Sequence, residues 1–441
     1  MPHVLVIQAD RESNTEAFDQ LQRLKTERPD CTLSVLRRRA PWWQWDRRRV
    51  AAVVDQLLLV DPQHHDSAVR AVVDMARDRP FDAVISVHEE CLRLAARMVE
   101  ALGLRGPPHP VVETCRDKWA LRRRLAAGGI ATPQAHLVRS HAEARQAAQA
   151  LGLPVVVKPR DLAGGIGVTA VNRLVDLPVA YDLAARAHWM DSRWPGVLVE
   201  PLIAGPTIAA NGLMDGEELI PLGASDKTCV DAPYFSTHEE AMPSEHDGAA
   251  LWRVVENAAR CLGLRDTVLH MELVLGDAGA SVLEVTPRLG GGPVARLVEV
   301  TQGVWPLGLA LQVALGEAVP EPNPAACGRA RILRTPRAGR IVALRSPTAL
   351  PPQTELRKTL GVGDFVAPPP RSFVTALGWV LAWGEEPTEV AGRVARVAGA
   401  VSVETAPEAS LSAVHALASR AADPEYRHRF FSWASRLGGR A

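Results

Sequence analysis

Two glutamates placed for chemistry lie in VLHMELVL (268–275) and SVLEVTP (281–287), apolar runs of strand length separated by the small residues GDAGA. Such a pattern predicts a β-hairpin. With the turn centred on Ala278, Glu272 falls opposite Glu284 and His270 opposite Thr286. Directly opposed side chains have Cβ atoms only ~5 Å apart, so two carboxylates there repel unless a cation lies between them. A pair that offers only oxygen suits magnesium, which binds through one or two carboxylates together with substrate phosphates. The competing reading is an exposed acidic hairpin in slipped register, and it leaves the apolar neighbours of both glutamates without a place.

A matching cationic half is also present. Of the 50 basic residues only five are lysine, namely Lys25, Lys118, Lys158, Lys227 and Lys358. In a chain so biased to arginine, a lysine that persists is a candidate for a task needing a compact point charge rather than a planar fork. Lys158 lies in LPVVVKP (153–159), which runs through the glycine-rich RDLAGGIG (160–167) into VTAVN (168–172). Strand, glycine loop and strand make a second hairpin. This excludes a Walker A loop or a dinucleotide fingerprint, both of which need a helix after the glycines. Gly164, Gly165 and Gly167 offer backbone N–H groups that approach an anion without side-chain interference. Combined with Lys118, Lys158 and the acidic pair, they describe a nucleoside triphosphate site: cations and amides on the phosphate oxygens, and acids on a bridging metal.

The rest of the chain has to position these groups. Its 441 residues, 47% hydrophobic and 23% charged, predict two to four folded domains. Fifty acidic residues balance the fifty basic ones, giving no general attraction to nucleic acid or an anionic membrane. No apolar run reaches the ~18 residues of a transmembrane span, and the chain opens into strand-like HVLVI, so it reads as cytoplasmic. The six cysteines are scattered without a CxxC pair, which indicates neither a zinc knuckle nor a disulfide framework. HVLVI (3–7) and FDAVISV (81–87) read as strands, with helical periodicity at 51–60 and 68–77, hence an α/β layer with a parallel sheet. His88, Glu89 and Glu90 follow the second strand, where open α/β sheets place ligands, or else begin the next helix. A helix is expected over 113–127, Pro-punctuated strands after about Gln312, and a helical tail over the last ~35 residues.

Taken in order, CRDKWALRRRLAAGGIATP (115–133), LPVVVKPRDLAGGIGV (153–168), VLVEPLIAGPT (197–207), HMELVL (270–275) and LEVTPRLGGG (283–292) resemble the ATP-grasp superfamily over about residues 80–310. Within it, DKTCVDAPYFSTHEEAMPS (226–244) and PRLGGG look most like the L-amino acid ligases, which are carboxylate-amine ligases. The resemblance implies an α/β fold with an amino-terminal parallel-sheet domain (1–112), a linker helix and β-hairpin lid (113–195), an ATP-grasp core (196–315), and a mostly β carboxyl-terminal region with a helical tail (316–441). By position, it implies that Lys118 and Lys158 contact ATP phosphates and that Glu200, with the backbone through Leu202, meets adenine. Lys227 approaches the phosphates, Glu272 and Glu284 ligate Mg2+, and Arg288 stabilises the acyl phosphate and the tetrahedral adduct. Gly290, Gly291 and Gly292 shape the acceptor pocket. Three positions depart from the family pattern. Thr286 stands where a metal-binding Asn is usual and Thr207 where a Glu often contacts ribose, while Thr237 and Glu240 replace a substrate-binding Glu and His. Glu240 and His270 are therefore the candidates for substrate contact.

The expected activity is ATP-dependent amide formation between a small-molecule carboxylate and an amine, with no nucleic acid or membrane partner; a homodimer is compatible with it. A carboxylase acting through carboxyphosphate and a non-catalytic ATP-binding regulator are the alternatives. His270 also reads as a structural histidine, Trp42, Trp43 and Trp45 with Arg47, Arg48 and Arg49 as a solvated helix, and Cys229 as an unreactive thiol.

Overall fold

The computed structural model describes residues 1–7, 15–37, 51–61, 64–86, 88–187, 194–373 and 375–406. The tryptophan-arginine segment and the expected helical tail lie outside the described residues. At the amino terminus, strands β1 (His3–Ile7), β2 (Thr32–Arg37), β3 (Gln56–Leu59) and β4 (Ala83–Ser86) form a parallel sheet in the order β3-β2-β1-β4. Helices α1 (Thr15–Glu27), α2 (His65–Asp78) and α3 (Leu92–Leu102) cover it. Leu5 and Ile7 pack with Val72, Leu94 and Met98 on one side, while Val4 and Val6 pack with Leu21, Leu24 and Leu311 on the other. Burial on both faces is why HVLVI is apolar throughout rather than alternating. The helix expected over 51–60 is overturned at its second half. Gln56–Leu59 is a strand, because a four-residue apolar run carries no period of its own and pairing with Ser34–Arg37 decides its state.

The helix expected over 113–127 is instead two, α4 (His109–Arg116) and α5 (Lys118–Ala127), parted at Asp117. The Asp117 carboxylate accepts the Trp119 N–H at 3.1 Å, which caps α5, and takes Arg160 in two bonds of 2.7 and 2.6 Å. The break puts Lys118 in the first turn of α5. A four-stranded lid follows, built from β5 (His136–Val138), β6 (Val155–Pro159), β7 (Thr169–Val171) and β8 (Val197–Pro201) in the order β5-β8-β6-β7. Val155, Val157, Val197 and Val199 face α6 (His141–Leu151) and α7 (Leu177–Arg186), so alternation turns Lys158, Leu198 and Glu200 to the other face.

The centre is an eight-stranded antiparallel sheet. Its strands are β9 (Thr207–Asp215), β10 (Glu218–Val230), β11 (Ser236–Met242), β12 (Thr267–Gly276), β13 (Gly279–Thr286), β14 (Cys327–Leu333), β16 (Thr354–Lys358) and β18 (Gly378–Gly384), ordered β13-β12-β9-β10-β11-β14-β18-β16. Strands β15 (Gly339–Arg345), β17 (Phe365–Val366) and β19 (Ser402–Ala406) make a small sheet apart from it. One face of the large sheet buries Ile208, Ala210, Met271, Leu273, Val282 and Val285 against α5 and α8 (Ala249–Leu262). At one end of the other face, Leu213, Met242 and Val268 pack on α9 (Val294–Gln302) and α10 (Pro306–Leu315). The rest of that face carries the charged residues described below. Helix α11 (Pro387–Gly399) backs the carboxyl-terminal strands, which continue the same sheet across residues 315–316. Among the described residues no helix is long and apolar enough to cross a membrane.

Candidate active site

Strands β12 and β13 pair His270 with Thr286, Met271 with Val285 and Glu272 with Glu284, as the sequence pattern predicts. The turn is tighter than expected, with Gly276 opposite Gly279, and the register then shifts by one residue at Leu283. That bulge lets Val282 and Val285 both reach the core while Glu284 reaches the opposite face beside Glu272. Each carboxylate of the pair also has a lysine beside it. Lys227 of β10 pairs with Glu272, and Lys118 of α5 lies 3.4 Å from Glu284 while donating to the Leu162 carbonyl. Burial works against both charges of the inner pair. Glu272 and Glu240 nevertheless hold Lys227 above the usual lysine range, and Lys227 and His270 hold Glu272 below the usual carboxylate range.

The lid carries a second charged group, joined to α5 through Arg122. Lys158 and Glu200 are 7% and 2% exposed and form an ion pair, and the Glu200 carboxylate also takes Arg122 Nε of α5 at 2.9 Å. Burial pulls Lys158 down to about 8 although Glu200 pulls upward, with Arg122 and Lys118 adding to the depression. Burial would raise the Glu200 pKa, but Arg122 and Lys158 hold it below the usual carboxylate range. The Glu200 side chain is thus a buried anchor for two cations. The Leu202 N–H is donated to the Pro154 carbonyl at 3.0 Å, so any base contact from Leu202 uses its carbonyl oxygen. Gly164, Gly165 and Gly167 all have left-handed backbone (φ 68°, 73° and 72°), and a Cβ on Gly165 would stand 2.8 Å from the Phe235 carbonyl oxygen.

At the far end of the same face, His270 Nδ1 and Asn211 Oδ1 are 2.9 Å apart, and His270 Nε2 lies 3.7 Å from Glu272. Gly290 is what allows the imidazole its place, since a Cβ there would stand 2.9 Å from the ring. Gly291 and Gly292 are exposed beyond it. Glu240 faces Lys227 across the strand pair and accepts the Ser225 hydroxyl at 3.0 Å, so it is a buried member of the lysine cluster rather than a loop residue. Arg288 grips Glu89, which sits in a short 3-10 turn (Glu89–Cys91) ahead of α3 and also takes Arg116. Direct contacts thus join Glu272 to Lys227 and His270, Lys227 to Glu240 across the strand pair, Glu284 to Lys118, Glu200 to Lys158, and Arg288 to Glu89.

Residues 115–292 match the ATP-grasp domain model and residues 32–106 the ATP-grasp N-terminal domain. The chain belongs to the ATP-grasp family. An uncharacterised protein of Sinorhizobium fredii is 29% identical over 61% of this chain and 56% of its own length. The alanine–anticapsin ligase of Bacillus amyloliquefaciens is 26% identical over 54% of this chain and 55% of its own. The chain thus spans about half the length of these curated relatives. The crystal structure of L-amino acid ligase from Bacillus licheniformis superposes with a TM-score of 0.76, covering 92% of this chain and 99% of that one at 21% identity.

Two arginines of this charge network carry no mark in the sequence. Arg122 ties Glu200 to the bulge by donating to the Leu283 carbonyl at 2.8 Å, and Arg116 completes the Glu89 cluster. Both are arginines in a chain of 45, so composition could not mark them. Glu89 was marked only by its place after a strand.

Proposed function

We propose that this chain is an ATP-dependent carboxylate-amine ligase acting on small molecules. The observation that carries the reading is a pair of opposed carboxylates, each partnered by its own lysine, roofed by a lid that presents a third lysine and a glycine loop. Among the described residues no cluster of three or more His, Cys, Asp or Glu side chains makes a closed metal cage. An oxygen-only pair that leaves positions for phosphate oxygens fits magnesium, which is seldom held by protein ligands alone. Glu272 and Glu284 would hold it, and when bound it would neutralise phosphate charge.

In this reading a substrate carboxylate oxygen attacks the γ-phosphorus of ATP, the bond to the β-phosphate oxygen breaks, and ADP departs from an acyl phosphate. An amine then attacks the acyl carbon, inorganic phosphate leaves, and the amine gives up a proton. Lys118, Lys158 and Lys227 stabilise charge on the transferring group, Arg288 stands by the tetrahedral adduct, and the lid excludes the water that would hydrolyse the acyl phosphate. The names of the ligase relatives support amide formation as the reaction class. The test is a screen of amino acids and small carboxylic acids in pairs, scored by ADP release and product mass. ADP release that needs both partners, with a product lighter by one water than their sum, is expected. ADP release that needs bicarbonate instead, or none with any pair, overturns the reading.

A further inference from the structure

The tip of the β10–β11 hairpin joins three parts of the molecule. It follows Lys227 along β10, and a bulge between Thr228 and Cys229 bends the strand pair just before it. Asp231 takes the left-handed backbone (φ 66°) and its carbonyl accepts the Tyr234 N–H at 2.8 Å, so the tip is a closed turn. On one side it meets the lid. The Ala170 N–H of β7, the edge strand of that sheet, is donated to the Pro233 carbonyl at 2.8 Å, and Thr169 bridges to Tyr234. The glycine loop touches the tip as well, since a Cβ on Gly165 would stand 2.8 Å from the Phe235 carbonyl oxygen. On the other side the tip meets the carboxyl-terminal region. The rings of Tyr234 and Phe373 pack edge to face, with centroids 5.7 Å apart and planes at 87°. Phe373 is buried, whereas Asp231, Ala232 and Pro233 are exposed. The Tyr234 ring therefore anchors an otherwise exposed turn on a packed neighbour.

We infer that Phe373, acting through Tyr234, is a positioning residue for the lid: it holds the tip where the lid lands, so that the acyl phosphate is kept from water. This rests on the ligase reading. The lid meets the tip by an edge hydrogen bond and close backbone packing, a contact light enough to break when product leaves. It holds only if the tip is already in place. Without the ring pair each closure must also order the tip, and the open, wet state gains population. An edge-to-face pair shifts such a balance by about twofold to tenfold. The consequence falls on one step. Water that reaches the acyl phosphate returns the free carboxylate and inorganic phosphate, so ATP is spent and no amide forms.

The experiment measures ADP released and amide formed, with both substrates saturating, in wild type, Phe373→Leu, Tyr234→Leu, Tyr234→Phe and the double Leu variant. Each single Leu variant should raise the share of ADP that yields no amide by about twofold to tenfold, the scale of the lost ring pair. Tyr234→Phe keeps the ring and should keep the wild-type share. The double variant should leak no more than the leakier single one, because both changes break the same contact. A wild-type share in both Leu variants overturns the assignment. So does a double variant whose leak is the product of the single leaks, which makes the two residues independent, and so does a leak in Tyr234→Phe, which assigns the effect to the hydroxyl. Tyr234 is only half-buried on a turn, so its variants decide the matter even where Phe373→Leu fails to fold. Absence of ADP release from wild type with every substrate pair overturns the ligase reading itself and is distinct from all of these.

Discussion

Burial draws Lys158 down to about 8 while the Glu200 carboxylate pulls the other way, so this cation is charged in neutral buffer and neutral in mildly alkaline buffer. If it neutralises a transferring phosphoryl group, kcat/KM for ATP should fall about tenfold per pH unit above about pH 8, because that ratio reports the free enzyme. Lys158→Met should lower kcat/KM by roughly a hundredfold and abolish the alkaline limb. A pH profile that keeps its alkaline limb in the variant assigns the limb to another group. The two glutamates differ in a way that the bare hairpin does not reveal. Mutual repulsion in the metal-free protein is relieved by a lysine for each, so neutralising one carboxylate gains nothing. Glu284→Gln loses a partly exposed contact at 3.4 Å and should cost under about 1 kcal/mol. Glu272→Gln strips Lys227 of its closest partner and should cost about 3 kcal/mol. Thermal denaturation with and without magnesium and ATP checks both: each variant should lose the ligand-induced rise in Tm. Equal costs would refute the asymmetry, and a retained rise would refute the metal assignment.

At the scale of elements, the hairpin register was legible because alternation and a compact turn fix pairing locally. Its details were not. The centre of the turn lies half a residue from Ala278, and the bulge at Leu283 restores the Glu272–Glu284 pairing by offsetting that difference. A bulge has no reliable mark in one sequence. The lid alternation was equally readable, whereas the break at Asp117 was not, since its carboxylate serves Arg160 far along the chain as well as the helix cap. Arg122 and Glu200 are 78 positions apart, and Arg288 and Glu89 are 199 apart. Partners so distant are chosen by how the elements pack, which local pattern does not encode. Gly290 tests one such packing. Gly290→Ala would put a methyl group 2.8 Å from Val294 Cγ1 and 2.9 Å from the His270 ring. Overpacking of this kind costs typically 1–3 kcal/mol, and the displaced imidazole should lose Asn211. A lower Tm together with a raised KM for the amine substrate, and an unchanged KM for ATP, is expected. A variant with wild-type kinetics would show that the turn yields instead of the histidine.

For the whole molecule, the amino-terminal sheet unit and the central sheet meet at the charge cluster of Glu89, Arg116 and Arg288. Burial would raise the Glu89 pKa, but Arg288 and Arg116 hold it down to about 2 against an ordinary carboxyl near 4.5. A depressed carboxylate stabilises the folded state above its unfolded pKa, and the contribution is lost as pH falls through the folded value. For this shift the contribution is about 3 kcal/mol at neutral pH, falling to less than half of that near pH 3. Glu89→Gln should therefore lower stability by about 3 kcal/mol at pH 7, leaving two guanidinium groups without their shared anion, and by much less at pH 3. Urea titrations of wild type and variant at both pH values measure the difference. The same variant should lose turnover, because an Arg288 released from Glu89 is free to swing away from the cleft. A stability difference that does not shrink on acidification would mean that Glu89 contributes by shape rather than by charge. Full turnover in a variant destabilised by the expected amount would confine its role to joining the two units.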